Sequence, residues 1–238
     1  MININVVGVG YPLVLFHGWG FDGSIWQGLT RALSPHYQLY CVDLPGFGLT
    51  PIQSDEEFII DLLSMLPLEF SLLGWSMGGL YATKIAHDNP KRVMHLINVT
   101  ASPYFLSDKD WPGVEKSVFD LFYQKVLANP KVTLDEFLML QGRKDNIIKY
   151  DGVLPSKLAL LQGLQRLSTW DLRAYIPTLT CQTHYLFGRL DSIVNRRLMS
   201  HISATFKNIH CTQFDKAAHA PFLSHESMFV DYVHSILR

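Results

Sequence analysis

Five residues, Gly74-Trp75-Ser76-Met77-Gly78, have the form G-x-S-x-G and stand where an apolar stretch of strand length gives way to a helical pattern. A serine on so sharp a strand-to-helix turn needs small residues two positions away on each side, because a larger side chain would collide with the tight backbone. Its hydroxyl is exposed by the turn and lies near a helix N-terminus, where free N–H groups favour developing negative charge. The chemistry suggested is nucleophilic attack. The other reading is a glycine-rich turn that carries an inert serine.

A serine hydroxyl is a poor nucleophile at neutral pH, so a base must take its proton and an acid must hold that base in one tautomer. Among ten histidines, His219 follows an expected strand, has small neighbours in Lys216-Ala217-Ala218-His219-Ala220-Pro221, and falls where a Ser, Asp, His chain order requires it. Asp191 is the chosen acid, because Leu186-Phe187-Gly188-Arg189-Leu190-Asp191 runs off a strand into a loop at the sheet's carboxyl edge. Asp171 and Asp215 compete with it, the first as a helix cap and the second as a solvated loop acid. His17-Gly18-Trp19-Gly20 directly follows another expected strand, where a loop can donate one backbone N–H to an oxyanion; Met77 would donate the second. His17 itself reads as a residue that shapes this loop.

The elements that must position these residues follow from patterning. Apolar runs at 13–16, 39–42, 70–73 and 93–99 are rich in β-formers and end in turn signals. Helical patterns separate them at 25–33, 56–66 and 77–87, the second opened by the capping-box spacing Ser54 to Glu57. This alternation predicts an α/β fold on a mostly parallel sheet. From 107 to 172 strand signals vanish, and Val114, Val118, Leu121 and Phe122 recur at helical spacing. Strands resume at 184–187 and 209–214, and an amphipathic helix closes the chain at 228–237. The expected organisation is a core of residues 1–106 and 173–238 with a helical cap at 107–172.

The 238 residues suit one domain, and 17% charged against 48% hydrophobic residues describe a compact globular chain. A net charge of -1 provides no field to hold nucleic acid. Cys41, Cys181 and Cys211 lack disulfide or zinc spacing and read as core thiols in a reducing cytosol. Neither a signal peptide nor a membrane span is legible, so a cytoplasmic location is expected. Asp43-Leu44-Pro45-Gly46-Phe47-Gly48 lacks the third glycine of a dinucleotide fingerprint and reads as a turn.

Together these strings resemble the α/β-hydrolase superfamily across nearly the whole chain, and within it the pimeloyl-[acyl-carrier protein] methyl ester esterases of biotin synthesis. The more discriminating strings are the tryptophan of the His17-Gly18-Trp19-Gly20 loop, Trp111-Pro112-Gly113, and Lys216-Ala217-Ala218-His219-Ala220-Pro221-Phe222. The resemblance implies a methyl esterase with Ser76, Asp191 and His219 as triad and Trp19 and Met77 at the acyl carbonyl. It also implies a pocket-lining segment of Phe137, Leu138, Met139, Leu140 and Gln141, although helix core is an alternative for Phe137, Leu138 and Leu140. No cofactor or metal is called for. The implied partner is an acyl carrier protein bearing a pimeloyl methyl ester, without nucleic acid or membrane, and a monomer is expected. Carrier proteins of this kind are acidic, and residues 137–166 hold five cations against two acids. Arg143, Lys144 and Lys149 are therefore the candidate carrier contacts, with an ordinary solvated helix face as the alternative. Competing functions are a general short-chain carboxylesterase or other serine hydrolase on the scaffold, and a ligand receptor that has lost turnover.

Overall fold

The computed structural model describes residues 1–141, 150 and 152–237. Seven strands form one sheet in the order β1-β3-β2-β4-β5-β6-β7: β1 (Ile4–Val7), β2 (Tyr11–Phe16), β3 (Tyr37–Val42), β4 (Phe70–Trp75), β5 (Val93–Val99), β6 (Gln182–Gly188) and β7 (Ile209–Phe214). β1 runs antiparallel to β3, and every other pairing is parallel. The helices among the described residues are α1 (Gln27–Leu33), α2 (Asp55–Met65), α3 (Met77–Asp88), α4 (Lys116–Ala128), α5 (Pro130–Leu140), α6 (Lys157–Thr169), α7 (Arg197–Thr205), α8 (Pro221–Ser224) and α9 (Glu226–Ile236).

Period-two alternation decides which side each strand residue serves. Val14, Phe16, Leu72 and Leu96 join one buried cluster with α2 and α3, while Leu13, Leu15, Leu73 and Ile97 join a second with α1 and α9. Both faces are covered, which is why the strands read as continuous apolar runs. The capping box at Ser54 and Glu57 forms, and it starts α2 where the spacing expects it.

Not every element was legible. β1 is a four-residue edge strand with no fully buried residue, and α7 buries only Leu198 and Ile202, so neither carries a strong periodic signal. The expected helix at 25–33 instead opens with a 3-10 turn, Gly23–Trp26, capped by the Asp22 carboxylate. The final helix starts two residues earlier than its periodicity suggests. Cys41 is buried and Cys181 and Cys211 partly so, all as free thiols.

α4, α5 and α6 lie between β5 and β6 and are tied to the rest of the chain by a buried ion pair. Arg166 Nε on α6 donates to both carboxylate oxygens of Asp55 at 2.8 and 2.9 Å, and Tyr81 donates to the same carboxylate. The Arg166 side chain is 9% exposed. Arg166→Met removes one charge and strands the other, so urea denaturation should reveal a loss of about 3 kcal/mol.

On β6 and β7, His184 and His210 are cross-strand neighbours with stacked rings 5.0 Å apart. Burial, then the proximity of His210 and His95, hold the His184 pKa near 4 instead of 6.5. The unfolded chain therefore gains a proton at His184 before the folded one does. Stability from this residue is intact above about pH 6.5 and declines as pH falls toward 4. The urea midpoint of His184→Gln should fall less between pH 7 and pH 5 than that of the parent.

Candidate active site

β4 delivers Ser76 to the sheet's carboxyl edge, with α3 starting at the next residue. Ser76 has φ 53° and ψ -118°, a strained conformation for a residue with a side chain. The turn is possible because its flanks are glycine. A Cβ on Gly74 would stand 2.5 Å from the Gly78 carbonyl oxygen, and one on Gly78 would stand 2.4 Å from that of Phe16. The Ser76 N–H donates to Val99 O at 3.0 Å, which locks the turn to β5. Met77 is the first residue of α3, so its N–H has no acceptor within the helix.

The loop after β2 packs directly on this turn: a Cβ on Gly18 would stand 3.3 Å from Cβ of Ser76. His17 fixes the loop's shape. Its Nε2 accepts from the Leu44 N–H at 3.0 Å, which leaves Nδ1 to donate to Gly18 O at 2.8 Å. Complete burial favours this neutral form and lowers the His17 pKa. The neighbouring turn at 43–49 is held by Asp43, which accepts from the N–H groups of Gly23 and Leu49.

His219 lies beyond β7 and Asp191 beyond β6, and the two meet with His219 Nδ1 at 2.8 Å from Asp191 Oδ2. Both side chains are essentially sealed from solvent, 0% and 1% exposed. Asp191 is oriented by its other oxygen, which accepts from the N–H groups of Ile193 and Val194. With Nδ1 occupied, Nε2 of His219 is buried and makes no hydrogen bond to a described residue. Its lone pair is thus available as a base. The competing acids lie elsewhere: Asp171 pairs with Arg173, and Asp215 takes a hydrogen bond from Gln213.

A cavity of about 190 Å³ opens at Ser76. Apart from Ser76 and Ser192, its lining among the described residues is apolar, including Trp19, Phe105, Val118, Phe122, Phe137, Leu140, Leu164 and Ile193. Trp19 anchors this wall. Its Nε1 donates to Leu160 O on α6 at 2.9 Å, and its ring meets Phe137 edge-on at 4.9 Å. Gly163 makes that approach possible, since a Cβ there would stand 2.6 Å from the indole.

Of the segment 137–141, Phe137 and Leu140 reach the cavity. Leu138 packs against the buried core, Met139 is 66% exposed, and Gln141 turns back to donate to Phe137 O. Arg143, Lys144 and Lys149 lie outside the described residues. Patterning had marked Val118 and Phe122 only as helical repeats, whereas the fold brings both to the cavity. The grip on the His219 backbone, through Trp75 and Thr100, had no sequence signal.

Residues 13–231 match the alpha/beta hydrolase family. The chain belongs to that family. Within it, the chain is 47% identical over 240 residues to a pimeloyl-[acyl-carrier protein] methyl ester esterase of Legionella pneumophila (strain Corby), covering all of this chain and 99% of that protein. A protein of the same name from Aeromonas salmonicida is 35% identical, covering 98% of this chain and 97% of its own. Among solved alpha/beta hydrolase folds, an esterase from Exiguobacterium antarcticum superposes with a TM-score of 0.86 at 22% identity, over 98% of this chain and 94% of that one. A bromoperoxidase from Bacillus anthracis gives 0.88 at 22% identity, over 99% and 95%. Such different names at such similar scores confine the structural likeness to the fold.

Proposed function

We propose that this alpha/beta hydrolase is a serine carboxylesterase that hydrolyses the methyl ester of a pimeloyl chain carried on acyl carrier protein. The observation that carries the reading is the apolar cavity opening at Ser76, beside the loop of Trp19 and the start of α3. Among the described residues, no charged side chain lines it, so it suits an uncharged ester on a methylene chain. The full-length similarity to pimeloyl-[acyl-carrier protein] methyl ester esterases supports the substrate.

Ser76 Oγ attacks the ester carbonyl while His219 Nε2 takes its proton, and the backbone N–H groups of Trp19 and Met77 stabilise the resulting oxyanion. His219 then protonates the departing methanol. Water repeats the path in reverse, freeing the carboxylate and the serine. Asp191 keeps the imidazole in the tautomer whose Nε2 is a base.

Residues 107–172 act in this reading as a lid whose helices α4, α5 and α6 wall the acyl chain. Arg143, Lys144 and Lys149 are its contacts for the acidic carrier. Reversing all three charges should weaken carrier-bound substrate at least tenfold in kcat/KM while sparing a free nitrophenyl ester; equal effects on the two would remove the carrier role. The decisive experiment is complementation of a biotin-requiring strain that lacks its own methyl esterase, with Ser76→Ala as control. Growth failure with the parent sequence rejects the substrate, and growth with the control rejects the nucleophile.

A further inference from the structure

We infer that Thr100 is a positioning residue for His219, acting through its backbone, and this rests on the proposed role of His219 as base. The His219 carbonyl receives two buried hydrogen bonds: Thr100 Oγ1 donates at 2.7 Å and Trp75 Nε1 at 2.8 Å. These donors sit at equivalent places in the sheet. Trp75 ends β4 immediately before Ser76, and Thr100 follows the last residue of β5, the adjacent strand. The loop that carries the base is thereby referenced to the same strand ends that carry the nucleophile. Without them, the His219 backbone would lose two buried bonds to these strand ends.

The backbone at Thr100 supports the assignment. It has φ +43°, a region that β-branched residues rarely enter. Its N–H is held by Leu186 O at 2.7 Å, and its side chain is fully buried. Ser76 and Lys109 are the other described non-glycine residues at positive φ, and Lys109 lies away from the sheet edge. Glycine would satisfy this conformation without strain, but glycine cannot donate to the carbonyl. A strained threonine at a buried sheet end is what a needed hydroxyl would leave behind.

The test compares Thr100→Val, Thr100→Ser and Thr100→Gly with His219→Ala, using a nitrophenyl ester and thermal melting. Valine keeps the shape and the branched Cβ but loses the donor, so kcat should fall about 10- to 100-fold with KM within twofold, as expected for a misplaced base. Serine should recover most of the turnover. Glycine relieves the backbone and lacks the hydroxyl, so it should melt no lower than valine yet remain slow. Full turnover in the valine or the glycine variant, with His219→Ala inactive, overturns the positioning role alone. Full turnover in His219→Ala instead overturns the proposed mechanism from which the inference starts.

Discussion

Ser76→Ala should lower kcat on a carrier-linked or nitrophenyl ester by about 10⁶-fold, leaving only what the oxyanion loop and binding provide. The fold should be indifferent to the change. Alanine meets the same φ of 53° that serine accepts, and the elbow is built by Gly74, Gly78 and the Ser76 N–H bond to Val99, none of which uses the hydroxyl. A melting temperature near that of the parent, beside absent turnover and absent labelling by a fluorophosphonate, is the expected combination. Undiminished labelling of the variant would mean that another residue is the nucleophile. Ser76→Gly should be equally inactive but more stable, since glycine relieves the positive φ.

Asp191→Asn should reduce kcat by about 10⁴-fold with little change in KM. The reason is the direction of one proton. The carboxylate accepts from His219 Nδ1, so Nε2 keeps its lone pair. An asparagine amide can present its NH₂ to Nδ1 instead, and the proton then sits on Nε2, where it blocks the base. The other carboxylate oxygen accepts from the N–H groups of Ile193 and Val194, and the asparagine carbonyl can continue to do so. Stability should therefore change far less than in Asp191→Ala, which leaves both N–H groups without that acceptor. Comparable turnover in Asp191→Asn and the parent would return Asp171 and Asp215 to consideration, despite their surface pairings.

The chemistry was legible because it depends on local backbone constraints. Gly74 and Gly78 declare a turn too tight for side chains, and the switch from apolar run to helical pattern at Ser76 declares where it lies. The strands β5 and β7 were readable to the residue, since both carry β-forming residues bounded by turn signals. β1 and α7 were not, because a short edge strand and a helix with two buried residues owe their existence to neighbours that local patterning does not include. The segment 137–141 shows the same limit at finer scale. The family resemblance marks Phe137 to Gln141 together, but only the packing of α5 against Trp19 brings Phe137 and Leu140 to the cavity and leaves Met139 exposed.

By itself the sequence determined an α/β chain with a serine elbow, a C-terminal histidine and a helical insertion, because each is written in residues close along the chain. The sequence singled out Asp191, 28 residues before His219, over Asp171 and Asp215, but only tertiary structure supplied the contact between the two. Tertiary structure also decided that Trp75 and Thr100 hold that histidine's carbonyl from 144 and 119 residues away. The physical reason is that hydrogen bonds and burial between distant segments depend on how strand ends converge, and no local periodicity encodes which ends will meet.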